Sequence, residues 1–281
     1  MGIRIITDST SDISFEQAAQ LGVTIVPLKV IFGDKEYKEG IDITIDSFYE
    51  RLVQAEKLPT TSQPSPDDFL EHYIQAKEAG DSVVVILIAG KLSGTVQSAT
   101  IAKEMADYSD IYIVDSLNTI TGLRLLVEQA VKLRNEGMGA AQIADNLENL
   151  KDRIVLLAMV DTLEYLHKGG RLSKSSAIIG SLLKFKPIIT LKDGALSVIG
   201  KERGTNKGIV KMLEVIDEYG GINQHYPVYM GYTAENSKAL MLKEKFIDKY
   251  AINKTELYPV GCVVGTHAGP GACVITYIKQ S

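Results

Sequence analysis

From Ser82 to Ile88 the chain reads SVVVILI, β-branched or aliphatic at every position after the serine. An unbroken run of this kind predicts a strand covered on both faces, the habit of parallel sheets wrapped by crossover helices. It is far too short to span a bilayer, which takes roughly 20 apolar residues. The surrounding sequence alternates to match. Ile3 to Thr7, Thr24 to Phe32 and Ile111 to Val114 read as strands. Between them, Ser14 to Leu21, Ile45 to Ala55, Gly94 to Tyr108 and Thr121 to Asn135 read as helices. One more helix has a complete start signal: Ser65 as N-cap, Pro66 at the first position, Asp67 and Asp68 in the first turn, and an end near Glu78.

The second half has a different rhythm. Leu163 to His167 predicts a helix end closed by Gly169-Gly170, and Ser175 to Phe185 predicts a further helix. Pro187 to Leu191, Asp193-Gly194 and Leu196 to Ile199 spell a hairpin. A helix (Gly208 to Glu218), a strand (Val228 to Tyr232), a helix (Ser237 to Tyr250) and strands at Glu256 to Val260 and Cys273 to Ile278 complete it. Strand pairs mixed with helices predict a separate α+β-like domain, with the chain divided into 1–160 and 161–281.

A chain of 281 residues has room for two domains, and its net charge of -5 argues against a nucleic-acid or anionic-membrane partner. The N-terminus reaches Asp8 almost at once, so no signal peptide is expected. Cys262 and Cys273 sit in apolar surroundings and predict buried, reduced thiols. These features place the protein in the cytoplasm. Four scattered histidines without a Cys/His cluster predict no structural zinc.

Four segments could carry chemistry. Gly90-Lys91-Leu92-Ser93-Gly94-Thr95 follows the buried strand and opens a helix. Its free amides and the Ser93 hydroxyl suit an anion, and simple N-capping by Ser93 explains it as well. Thr60-Thr61-Ser62 offers three hydroxyls without a positive charge, either for an anion or as a polar turn. Gly265-Thr266-His267-Ala268-Gly269-Pro270-Gly271 is dense in glycine around one histidine: a close approach to a ligand, or a turn before the last strand. Asp8-Ser9-Thr10-Ser11-Asp12 follows the first strand, and helix capping is its simpler role. Gly169-Gly170-Arg171 reads as a helix stop and connector, Arg203 as a solvated charge. Dinucleotide-binding, Walker-type and nucleophile-elbow glycine motifs are missing, which removes nicotinamide enzymes, P-loop kinases and common serine hydrolases.

Taken in order, six segments resemble the DegV family over essentially the whole chain. They are Thr7 to Asp12, Thr61 to Ser65, Leu92 to Thr95, Leu163 to Arg171, Lys186-Pro187-Ile188 and Gly265 to Gly271. Singly each is weak; in register they are specific. The resemblance implies an α/β protein with an N-terminal Rossmann-like parallel sheet, a C-terminal mixed α/β domain and a fatty acid between them. It implies no catalysis and no cofactor, only a ligand such as palmitate, stearate or oleate. Members of the FakB type present that acid to a fatty acid kinase, which makes the acyl phosphate for phospholipid synthesis, and transient membrane contact fits this role. By motif, Thr61, Ser62, Ser93 and Gly94 should meet the carboxylate, His267 should join the polar network, and Arg203 should serve the kinase. Gly204 stands where a Thr is more usual, and Asn118 to Thr121 departs from the expected Ser-rich form after Asp115-Ser116.

The implied chemistry is coherent. About fourteen buried methylenes at about 0.8 kcal/mol each contribute on the order of 11 kcal/mol before binding costs. With no Lys or Arg in the Thr61-Ser62 segment, a neutral donor set is expected to hold the carboxylate and leave an oxygen free to attack phosphorus. Two alternatives stand: a carrier of another hydrophobic carboxylic acid, and an esterase or phosphatase built on Ser93 and His267 with Asp8. The carrier reading expects a monomer that docks transiently on the kinase.

Overall fold

The computed structural model describes residues 2–172 and 184–280. In chain order it begins with β1 (Ile3–Asp8), a 3-10 turn (Ser9–Ser11), α1 (Phe15–Leu21), β2 (Val23–Val26), β3 (Lys29–Phe32) and β4 (Lys35–Lys38). Next come α2 (Ile45–Gln54), β5 (Thr60–Ser62), α3 (Pro66–Ala79), β6 (Ser82–Leu87), α4 (Thr95–Ala106) and β7 (Ile111–Asp115). After α5 (Ile120–Asn135), α6 (Ala140–Lys151), β8 (Ile154–Met159) and α7 (Glu164–Lys168) the chain forms β9 (Lys186–Lys192) and β10 (Ala195–Glu202). It ends with α8 (Thr205–Glu218), β11 (Val228–Tyr232), α9 (Ser237–Tyr250), β12 (Thr255–Pro259), α10 (Cys262–Ala268) and β13 (Cys273–Ile278).

The run that opened the sequence argument is β6, buried at every position, and it lies in a four-stranded parallel sheet of order β2-β1-β6-β7. A separate six-stranded mixed sheet has the order β10-β9-β8-β13-β11-β12. The fold is therefore α/β, with a Rossmann-like parallel sheet and a second, mixed sheet. A small antiparallel sheet, β4-β3-β5, stands apart from both.

In the parallel sheet β1 connects outward to β2 on one side and pairs with β6 on the other, so the strand order reverses there. Ligands of such sheets commonly enter the crevice at this reversal. Here Asp8 occupies it. Its carboxylate accepts from Thr10 N–H at 2.9 Å and from Ile88 N–H at 2.7 Å, across to the end of β6. Its role is that of a cap and a strut.

Helix α5 joins the two large sheets. Leu123 and Leu126 belong to one apolar cluster with Ile5 and Ile86 of the parallel sheet and with Tyr229 and Ile278 of the mixed sheet. Thr121 Oγ1 meets Thr276 Oγ1 at 2.6 Å, a hydroxyl pair that satisfies both groups in a dry interface. Arg124, 3% exposed, pairs with Glu128 at 2.7 Å and lies 3.8 Å over the Tyr258 ring.

Several sequence expectations need correction. Thr24 to Phe32 is not one strand: Pro27, lacking an N–H, ends β2, and the chain resumes as β3 in the small sheet. The helix at 163–167 is a single turn, Glu164–Lys168. The Gly-dense segment around His267 is mostly helix α10. Helix α6 and strand β8 went unread; for β8 a six-residue apolar run carries no period that distinguishes strand from helix. The helix expected at Ser175 to Phe185 lies largely outside the described residues. The hairpin turn at Asp193-Gly194 has φ of 50° and 77°, as its strand twist requires.

Because Leu126 is fully buried between the sheets, Leu126→Ala should destabilise the fold by about 2–5 kcal/mol in urea unfolding. A loss under about 0.5 kcal/mol, typical of surface sites, would contradict the shared core.

Candidate functional site

Between the two large sheets lies a cavity of about 350 Å³, within the usual range of small-molecule pockets, roughly 300–1,000 Å³. One face of the mixed sheet supplies its floor: Leu196 from β10, Ile189 and Leu191 from β9, Leu156 and Ala158 from β8, Val274 from β13. These positions follow the two-residue alternation of strands, so only apolar side chains project inward. Ile88, Leu92 and Ile120 close it from the first half, and Val263, Val264 and Ala268 of α10 from another side.

The polar residues of the wall are tied to one another. Thr61 Oγ1 and His267 Nε2 are 2.9 Å apart. Gln63 Nε2 donates to Gly94 O at 3.2 Å and to Ser98 Oγ at 3.0 Å. Arg171 Nε donates to Leu92 O at 3.1 Å and its Nη1 to Gly169 O at 2.7 Å. Thr61, Ser62, Gln63, Ser93, Arg171 and His267 thus supply most of the polar lining of a largely apolar chamber, to which Thr119 and Thr233 also contribute.

Each sequence candidate takes a definite place. Thr61 is not in a turn: it sits in β5, paired with Val30 of β3. Ser93 does not cap α4, whose N-cap is Gly94 and which has no side-chain cap; the Ser93 hydroxyl meets Thr95 Oγ1 at 2.8 Å. The first amides of α4 therefore keep their hydrogens for another acceptor. Gly94 lies against the Gln63 amide: a Cβ there would stand 2.2 Å from Gln63 Oε1, so that side chain would have to move. Ser62 lines the same end. Arg203 does not; it is exposed and stacks 5.0 Å over the Phe185 ring. Asp8 is committed to Thr10 and Ile88, away from His267.

Burial, helped by the nearby Arg171 charge, pushes His267 down to about 4, so its ring is neutral at physiological pH. Nδ1 is buried and has no hydrogen-bond partner among the described residues. A proton there would be stranded, so the pattern assigns the hydrogen to Nε2, which donates to Thr61. Thr61 then directs its own hydrogen toward the cavity.

Gln63, Gly169 and Arg171 went unrecognised in the sequence. Arg171 also corrects the expectation of a wholly neutral donor set, since its half-buried guanidinium lines the same polar end. All three lie inside segments that carry the family resemblance, Thr61 to Ser65 and Leu163 to Arg171, but none was given a role at the site. Among the described residues no cluster of His, Cys, Asp or Glu could hold a metal ion.

At Gly169 an added Cβ would stand 2.2 Å from His267 Nδ1. Gly169→Ala should turn the imidazole away from Thr61, read as a change in the His267 ¹⁵N shifts; unchanged shifts would contradict this packing. In the native protein those shifts should report a neutral ring until pH falls near 4. Because the folded value is depressed from 6.5, this group's contribution to stability is full above pH 6.5. It is lost as pH falls through about 4.

Comparison with known proteins gives this geometry a context. The model of the DegV family, described as an uncharacterised protein family, matches residues 2–280. A DegV domain-containing protein of Caldanaerobacter subterraneus subsp. tengcongensis is 35% identical over 99% of both chains. A Thermus thermophilus structure described as fatty acid binding of a DegV family protein superposes with a TM-score of 0.89 at 31% identity, covering 99% of this chain and 100% of its own. A stearic acid-binding protein from Eubacterium ventriosum gives a TM-score of 0.89 at 30% identity, covering 99% and 98%. This chain belongs to the DegV family.

Proposed function

We propose that this protein binds a long-chain fatty acid and presents it, in the cytoplasm, to a fatty acid kinase for conversion to acyl phosphate and use in phospholipid synthesis. The observation that carries the binding step is a single chamber with an apolar floor and one polar end. The floor crosses neighbouring strands from β10 to β13, three spacings of about 4.8 Å or roughly 14 Å, enough for much of an extended acyl chain. The polar end offers the hydroxyls of Thr61, Ser62 and Ser93 and the free amides beyond Gly94. A carboxylate removed from water needs donors of this kind. Arg171 adds a cation at the rim, and His267 acts through Thr61.

Kinase presentation rests on the family resemblance and on Arg203, exposed outside the chamber and available to a docking protein. The hydrogen-bond pattern supports binding over hydrolysis. A serine nucleophile needs its base within reach, whereas Ser93 is paired with Thr95 and His267 with Thr61. A carrier of another hydrophobic carboxylic acid fits the same chamber, and the ligand's mass separates the two.

Native mass spectrometry of the freshly purified protein, with organic extraction, should show an adduct of C14 to C18 fatty acid. Absence of an adduct even after incubation with mixed fatty acids would overturn the reading. Thr61→Ala and Ser93→Ala should each weaken fatty-acid binding by about tenfold, the loss of one charge-assisted hydrogen bond. Phosphorylation of the bound acid by an added bacterial fatty acid kinase should fall much further than thermal stability does. Unchanged turnover in both variants would refute the presenting role.

A further inference from the structure

The entry to α10 is held by residues from the opening fifty positions of the chain. Asp12 Oδ1 accepts from Gly261 N–H at 2.9 Å, and Glu39 Oε1 accepts from Val263 N–H at 2.9 Å. Tyr49 donates from its hydroxyl to Val260 O at 3.0 Å. The second oxygen of Glu39 accepts from Ser9 Oγ at 2.6 Å, and Ser9 in turn accepts from Leu28 N–H at 3.0 Å. A Cβ on Gly261 would lie 2.5 Å from Glu39 Oε1 and 3.2 Å from Asp12 Oδ1, so both carboxyls close on the same short stretch of backbone. No side chain of α10 itself caps this end.

Alpha-10 is seven residues long, with His267 in its last turn and Val263, Val264 and Ala268 on the cavity wall. Its other contacts are close as well: a Cβ on Gly265 would stand 2.5 Å from Tyr49 Oη. A shift at its first amides is therefore passed to His267 about one and a half turns away. Neither carboxyl has a salt-bridge partner among the described residues. Arg124 approaches only through Nη1, which donates to the Asp12 carbonyl at 3.1 Å. Asp12 also holds a left-handed backbone, φ 55°, and its Oδ2 is buried without a partner. Two carboxyls held in this costly arrangement call for a role beyond simple packing.

We infer that Asp12 and Glu39 are positioning residues for His267: gripping Gly261 and Val263, they set where α10 stands and so hold the His267–Thr61 pair against the ligand's head group. The inference rests on the fatty-acid reading and deepens it. It links the acidic loop after β1 to the binding end, although neither carboxyl lines the cavity.

The groups facing this bracket are Asp8 at the end of β1, Asp12 from the loop after it, Glu39 beside the small sheet, Tyr49 on α2, Cys262 on α10 and Tyr232 at the end of β11. Arg124 and its partner Glu128 face it from α5. Burial pushes Glu39 up to about 7 and Asp8 up to about 6, and holds Asp12 well above the usual carboxylate range. Raised acids favour the closed bracket while they are protonated. Their contribution is full below the ordinary carboxylate values and is lost as pH rises through about 7.

The test compares affinity for palmitate with affinity for its methyl ester, which keeps the tail and loses the charge. In Glu39→Ala the acid-to-ester preference should fall about tenfold, with ester affinity little changed. In a His267→Ala background the same substitution should have no further effect on the preference. Raising the pH from about 6 to about 8 should erode the native preference, and Glu39→Gln, which keeps an acceptor but cannot ionise, should weaken that dependence by removing Glu39's share while Asp8 and Asp12 keep theirs. Equal loss for acid and ester, or additive effects of Glu39→Ala and His267→Ala, would overturn the inference. A native protein that binds neither compound would instead refute the fatty-acid reading.

Discussion

Everything about the cavity depends on a helix that has no solvent side along most of its length. Alpha-5 packs on the parallel sheet with one face and on the mixed sheet with another, and it sets their separation. Two sheets in direct contact would interdigitate their side chains and leave no chamber. With α5 wedged at one edge, the floor of β8, β9, β10 and β13 faces Ile88, Leu92 and Ile120 across a gap. The buried Arg124 is tolerable because Glu128, two backbone or amide oxygens and the face of Tyr258 all surround it. The cavity is thus a by-product of how the sheets are spaced, and the polar end marks where three segments meet.

Those segments approach from different structures. Thr61 comes from the small sheet, Ser93 and Gly94 from the entry to α4, and His267 from α10. None would be near another in a partly folded chain. Their cross-links are short polar contacts, Gln63 to Gly94 and Thr61 to His267, made at the rim of a dry chamber. A neutral imidazole adds direction without fixed charge, which keeps the positive potential at this end in the hands of Arg171 and the helix amides.

Much of the architecture was legible in the sequence because strongly periodic or unbroken apolar segments admit one physical solution. Strands β6, β11 and β13 and helix α9 were readable on those grounds, and the Asp193-Gly194 hairpin on its turn chemistry. Position along the sheet was not legible. Thr60-Thr61-Ser62 has the composition of a turn, and only its pairing with β3 makes it a strand. Glycine misled at α10: Gly265 signals a loop locally, yet its purpose is to let the helix lie against Phe48 and Tyr49. Arg171 followed two glycines that end a helix turn, and nothing nearby in sequence says that this turn lies beneath His267. Motifs singled out Thr61, Ser93 and His267, but their mutual geometry exists only in three dimensions.

Asp8 gives the parallel sheet an unusual character. Where sheets of this form commonly receive a ligand, this chain has installed its own carboxylate, bonded across to the Ile88 amide just past β6. A phosphate arriving there would meet repulsion and an amide already taken. The chain has, in effect, filled the usual ligand berth of its parallel sheet, and its chamber lies against the second sheet instead. One residue at the end of the first strand thus closes the switch point of the parallel sheet and leaves the open space to the gap between the two large sheets.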